Sequence, residues 1–192
     1  MSELNGVSLS LYYKLEVRDL KNTHIKELVS FNLVLNDGSQ IGKCNYFSGR
    51  GYYTPWLEID YYPILRNENL EENFFKVIYN FLSPGGKLFV TYIRDNETRE
   101  MLYKGTHPVE TPLGLSLLLA GFTWFKDWYF PEGGNEGFPK LQSNKPLNGY
   151  EGVRQLEVIR EEIKNVNIIK RIDELIDHYR KSRDRTIHWK IT

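Results

Sequence analysis

The chain has 192 residues, with 25 Lys and Arg against 25 Asp and Glu, a length that suits one domain with a core held without disulfides or metals. The zero net charge argues against a general nucleic-acid binder, and the single cysteine, Cys44, excludes a disulfide framework or a Cys-rich zinc site. No apolar run approaches the roughly 20 residues that span a bilayer, and Met1-Ser2-Glu3-Leu4-Asn5 lacks a charged-then-apolar signal pattern, so a soluble cytoplasmic protein is expected.

From Val7 the apolar residues alternate through Leu9, Leu11, Tyr13, Leu15 and Val17, the period of a half-buried strand. A short helix is predicted next, with Ile25, Leu28 and Val29 on one face. Phe31, Leu33 and Leu35 alternate again up to Asn36-Asp37-Gly38, a hairpin turn whose residues tolerate positive φ. Residues 40–47 return, Ser48-Gly49-Arg50-Gly51 turns the chain, and 56–62 reads as a third strand. Residues 31–62 are therefore expected to form an antiparallel meander.

Leu70, Phe74, Val77, Ile78 and Phe81 then fall at helical spacing and stop before Ser83-Pro84-Gly85-Gly86. Residues 88–93 form a strand apolar on both faces, hence central. Asn96-Glu97 opens a short helix reaching Tyr103. Thr111-Pro112 opens another, with Thr as N-cap and Pro at the first helical position. An aromatic strand is predicted over 122–130, and 131–148, rich in Gly, Pro, Asn and Lys, reads as loop. From Gly152 to about Arg183 a single long helix is predicted, with Leu156, Ile159, Ile163, Val166, Ile172, Leu175, Ile176 and Tyr179 along an apolar stripe. The stripe is broader than a coiled-coil seam, which favours packing on its own sheet over a homodimer. The expected division is an α+β domain over 1–150 and a helical extension over 151–192 packed on it.

This order of elements resembles the GCN5-related N-acetyltransferase (GNAT) superfamily. The resemblance implies an α+β fold: a mixed sheet with an antiparallel N-terminal meander, flanking helices and here a long C-terminal helix. It implies acetyl-CoA or another acyl-CoA as cofactor, held where residues 56–62 splay from 87–94, with the intervening helix start facing the pyrophosphate. Arg66-Asn67-Glu68-Asn69-Leu70-Glu71 stands where the superfamily has Arg/Gln-x-x-Gly-x-Gly/Ala, so Arg66, Asn67 and Asn69 would be the cofactor contacts. Asn69 and Glu71 replace the glycines that let backbone N–H groups close on a phosphate, and Glu68, Glu71 and Glu72 repel one. Asn96 followed by Tyr103 is similar to a superfamily segment in which the Tyr protonates the departing thiolate; Asn96 would then contact the cofactor. Glu58 and Asp60, two apart on one strand, share a face. In the resemblance a carboxylate there is the general base toward an amine; the alternative is a solvated charged face.

Two further resemblances bear on function. Lys126-Asp127-Trp128-Tyr129-Phe130-Pro131-Glu132-Gly133 and Glu136-Gly137-Phe138-Pro139-Lys140-Leu141-Gln142 are similar to an uncharacterised, largely archaeal domain-of-unknown-function family. Leu82-Ser83-Pro84-Gly85-Gly86-Lys87-Leu88 with Ala120-Gly121-Phe122 is similar to S-adenosylmethionine-dependent methyltransferases. Those enzymes need a Gly-rich turn between a parallel strand and a helix, and Gly49-Arg50-Gly51 precedes no helical pattern.

Lys126, Trp128, Glu132, Glu136 and Lys140 offer the aromatic walls and few charges of a small-molecule pocket. His24, His107, His178 and His188 lack metal-ligand spacing, so no metal is expected. The expected partner is a small ligand, without nucleic acid or membrane. The expected function is an acyl-CoA-dependent N-acyltransferase or a degenerate, non-catalytic relative that binds a ligand; the alternative is a methyltransferase-like protein.

Overall fold

The computed structural model describes residues 3–4, 7–11, 25–35, 40–49, 52–60, 71–91, 93, 95–128 and 139–188, the first five strands as backbone. It is a mixed α+β structure whose described residues build one eight-stranded sheet. The strands are β1 (Glu3–Leu4), β2 (Val7–Leu11), β3 (Ile25–Leu35), β4 (Gln40–Gly49), β5 (Tyr52–Asp60), β6 (Lys87–Val90), β7 (Trp124–Trp128) and β8 (Lys140–Asn144), in the order β1-β2-β3-β4-β5-β6-β8-β7. The helices are α1 (Glu71–Phe81), α2 (Asn96–Tyr103), α3 (Pro112–Leu119), α4 (Gly149–Glu162) and α5 (Val166–His188), with a 3₁₀ turn at Pro108–Glu110. Consecutive pairs from β1 to β5 are antiparallel, as the two- to four-residue links between β1 and β2, β3 and β4, and β4 and β5 require. The pair β5–β6 is parallel, and a parallel pair needs a crossover, which α1 supplies.

Three sequence expectations are corrected. Residues 25–30, expected as helix, are the first half of β3, paired with β4 from Ile25↔Gly49 to Ser30↔Asn45. A register shift between Ile25 and Glu27 inserts one residue and breaks the period-two pattern that marks a strand. Residues 140–144, expected as loop, form β8, seated between β6 and β7. The long C-terminal helix is two helices. Ile163 leaves α4 in extended backbone (φ −88°, ψ 138°), and the side chain of Asn165 accepts from the Asn167 N–H at 3.0 Å to open α5.

The core has two parts. One lies between the sheet and α1–α3: Phe74, Phe75, Ile78 and Leu82 meet Leu88 and Val90 of β6, Leu141 of β8, and Leu113 and Leu117 of α3. The other joins α4 and α5 through Leu156, Ile159, Ile172 and Ile176 to Val109 and Leu118. α3, Pro-Leu-Gly-Leu-Ser-Leu-Leu-Leu, is apolar all round because it is covered on both sides. The helical stripe thus packs on its own chain.

Polar contacts lock this packing. Tyr179 donates its hydroxyl to the Gly121 carbonyl at 2.6 Å, and its oxygen lies 2.7 Å from the Tyr79 hydroxyl, which therefore donates to it. Burial pushes both phenols above the usual tyrosine range. Gly121 has φ +109°, and a Cβ there would stand 3.2 Å from the Tyr79 ring. Lys145 Nζ donates to the Tyr79 and Leu82 carbonyls at 2.9 and 2.8 Å, closing the C-terminal end of α1 with a positive charge.

Candidate functional site

The parallel ladder runs from Trp56↔Lys87 to Ile59↔Val90. Each of its strands leads, beyond its C-terminal end, into a helix: β5 into α1 and β6 into α2. The first N–H groups of a helix have no partner within it, and ligands of sheets with parallel strands favour the crevice outside those strand ends. Here both helix starts hold buried carboxylates. Glu71, the first residue of α1, is 4% exposed. Asp95 is buried and accepts from the Thr98 N–H at 2.9 Å as the N-cap of α2. These charges complement the helix dipoles and repel a second anion.

The sheet register gathers the strand residues singled out in the sequence. Glu58 is opposite Asn45 on one side and Phe89 on the other; Phe89 is opposite Gln142, and Gln142 opposite Lys126. Residues paired across strands share a sheet face. Asp60, two residues on from Glu58, and Trp128 with its partner Lys140 belong to the same face. Leu88, Val90 and Leu141 occupy the other face, against α1 and α3. Glu58, Asp60, Lys126, Trp128 and Lys140 therefore lie on one face, opposite the helical core. They do not converge on one point: three strand spacings, about 14 Å, separate Glu58 from Lys126.

Gln142 is a member of this face that sequence reasoning missed, because it lay in an expected loop. It is 5% exposed, and its Nε2 donates to Asn144 Oδ1 at 2.8 Å. The alternation Lys140, Gln142, Asn144 was the available signal.

The proposed acid and cofactor residues are placed less favourably. Asn96 is exposed at the start of α2, and its Oδ1 accepts from the Arg99 guanidinium. Tyr103 is 49% exposed at the other end of α2, about 10 Å along the axis. The neighbouring Leu102 packs into the α1–α3 core, so α2 belongs to the helix layer and not to the face of Glu58. Arg66, Asn67, Asn69, Glu132 and Glu136 lie outside the described residues.

His107 sits apart, where the 3₁₀ turn meets the end of α4. Its Nδ1 accepts from the Val109 N–H at 3.2 Å, and its Nε2 is 3.4 Å from Glu162 Oε2. Burial lowers its pKa below the usual imidazole range, while the charges of Glu162, Glu110 and Asp127 pull the other way. Among the described residues no three His, Cys, Asp or Glu side chains are grouped to hold a metal, and no helix is long and apolar enough to cross a membrane.

The chain is similar over 88% of its length to the crystal structure of a protein of unknown function from Aquifex aeolicus VF5, with 29% identity, 88% of that chain covered and a TM-score of 0.60. No curated protein matches. The profile of the family described as protein of unknown function (DUF1122) matches residues 12–172. That match spans most of the chain, which therefore belongs to the DUF1122 family.

Proposed function

We propose that this chain is a GNAT-like protein whose cofactor cradle has been lost, and that it binds a small ligand on the β5–β6–β8–β7 face instead of transferring an acyl group from coenzyme A. The sheet order supports the fold reading: an antiparallel meander, one parallel pair, then an antiparallel hairpin with its second strand inside. The resemblance implies acyl-CoA between the two parallel strands, with its pyrophosphate at the start of α1.

The observation that carries the loss of the cofactor role is the buried carboxylate of Glu71 at that helix start. A pyrophosphate brought there would meet a like charge shielded from water, where repulsion is strong. It would also meet side chains at the positions where glycines would expose N–H groups.

Acyl transfer is the second reading. It would use Glu58 or Asp60 as base toward an amine and Tyr103 as acid toward the thiolate, and the parallel pair with two helix starts beyond it favours it. The methyltransferase-like reading has less support. Gly49 ends β4 and pairs with Tyr52 of β5 in an antiparallel hairpin, not in a strand-to-helix turn.

Titration calorimetry with coenzyme A and acetyl-CoA tests the proposal. The wild-type chain is expected to bind neither with a Kd below about 1 mM, and Asn69→Gly with Glu71→Gly to bind more tightly. Micromolar binding by the wild type overturns it in favour of acyl transfer. Failure of both proteins to bind removes this loop as a cofactor site altogether. A thermal-shift screen of small amines, carboxylic acids and S-adenosylmethionine then seeks the ligand, since a molecule bound only by the native state raises its melting temperature.

A further inference from the structure

The starts of α2, α3 and α4 are capped by the residue types usual there: Asp95 accepts from the Thr98 N–H, Thr111 from the Gly114 N–H and Asn148 from the Glu151 N–H. The 3₁₀ turn at Pro108–Glu110 is capped by His107 instead, whose Nδ1 accepts from the Val109 N–H at 3.2 Å. An imidazole nitrogen accepts only while the ring is neutral, and protonation makes both nitrogens donors. This cap therefore responds to mild acid, where a Thr or Asn cap does not. The turn matters to the packing. Val109 is fully buried in the core that it and Leu118 form with α4 and α5, and the Pro108 carbonyl accepts from Thr111 Oγ1 at 2.7 Å. The charges that act on the ring are carboxylates from three elements. They are Glu162 at the end of α4, with Oε2 3.4 Å from Nε2, Glu110 in the turn itself and Asp127 on β7.

We propose that His107 is a proton-operated latch on the turn that seats the α4–α5 hairpin: neutral, it holds the Val109 N–H, and protonated, it releases that N–H and turns its new Nδ1–H to the carboxylates around it. In the neutral ring Nδ1 holds the lone pair, so the proton sits on Nε2, the nitrogen that faces Glu162. A proton taken up from water at Nδ1 sets one N–H against another, and the ring has to move. Glu162, Glu110 and Asp127 are the acceptors that receive it. Burial disfavours the charged ring, the three carboxylates favour it, and burial is the larger effect. The latch is therefore closed above about pH 6.5 and opens as pH falls through the lower folded value. A merely structural cap would be served as well by Asn, which keeps its acceptor throughout this range. The opening is local, because Leu88 and Val90 of β6 belong to the other core.

Nuclear magnetic resonance of the isotope-labelled full chain, titrated from about pH 8 to about pH 5, tests this. The neutral His107 ring is expected to carry its proton on Nε2, and the Val109 amide signal to shift with the same midpoint as the ring. Across that midpoint the protection of the Val109 amide from hydrogen exchange should fall about tenfold, the worth of one such hydrogen bond, while Leu88 and Val90 keep theirs. Glu162→Gln is expected to lower the midpoint by about 0.2–0.7 unit, the size of a partly exposed ion pair. His107→Asn keeps an acceptor without a titrating ring, so its Val109 amide should stay protected through the whole range. The proposal is overturned if the neutral ring carries its proton on Nδ1, or if the Val109 amide ignores the titration of the ring. Val109, Leu88 and Val90 losing protection together, or His107→Asn losing Val109 protection at the same pH as the wild type, overturns it equally.

Discussion

Tyr179 and Tyr79 share a hydrogen-bond chain, but their hydroxyls are not equivalent. Tyr179 both donates to the Gly121 carbonyl and accepts from Tyr79. Tyr179→Phe should cost about 1–3 kcal/mol, because it strands a buried carbonyl and a phenol; Tyr79→Phe should cost less, since the bond to Gly121 survives. Urea denaturation of both variants checks the order. His107 supplies a pH signature. Its folded pKa lies below its unfolded value near 6.5, so the folded state favours the neutral ring. That contribution is present above about pH 6.5 and is lost as pH falls through the folded pKa. Between pH 7.5 and 5.5 the wild type should therefore lose more stability than His107→Gln, as read by denaturation midpoints; an equal loss shows that other groups govern this window. Ser143 Oγ is buried without a hydrogen-bond partner among the described residues, so Ser143→Ala should be neutral or stabilising by up to about 1 kcal/mol.

The α4–α5 hairpin is the element whose independence can be measured. Its stripe covers Val109 and Leu118, and Thr123 Oγ1 donates to Gln155 Oε1 at 2.6 Å across the same junction. Removing residues 149–192 uncovers that surface, and the truncated chain is expected to aggregate and to bind a hydrophobic dye. A truncated chain that stays soluble and equally heat-stable would show instead that the hairpin is a separate unit. Within the hairpin, Asn165→Ala should cost about 1 kcal/mol, because the Asn165 side chain satisfies an N–H at the start of α5.

At the scale of the whole molecule, the sheet separates two chemistries. One face packs against α1–α3; the other carries Glu58, Asp60, Phe89, Gln142 and Lys126 in register. β6 and β8 lie inside this sheet, with Leu88, Val90 and Leu141 fully buried. Their amides should exchange with solvent only on global unfolding, while β7, the edge strand, exchanges faster. Hydrogen-exchange mass spectrometry distinguishes this from a sheet that opens first between β5 and β6, where a ligand between the parallel strands would have to enter.

Local chemistry in the sequence determined much of this fold. Alternation and the Asn36-Asp37-Gly38 signal marked β3, β4 and β5 as an antiparallel meander, the helical spacing of Phe74 and Ile78 marked α1, and Thr111-Pro112 marked the start of α3. What needed the tertiary structure was non-local. β8 has one large apolar residue, Leu141, and exists because β6 and β7 pair with it on both sides. The first half of β3 imitates a helix because a register shift disturbs its period. The turn at Ile163-Lys164-Asn165 keeps Ile163 buried, so the apolar stripe runs through the break without a gap. The candidate face follows the same division. Sequence picked out Glu58 with Asp60, and Lys126 with Trp128 and Lys140, as two separate groups, by residue type and local pattern. Only strand pairing, which acts between residues far apart in the chain, decided that the two groups share a face and that Gln142 joins them.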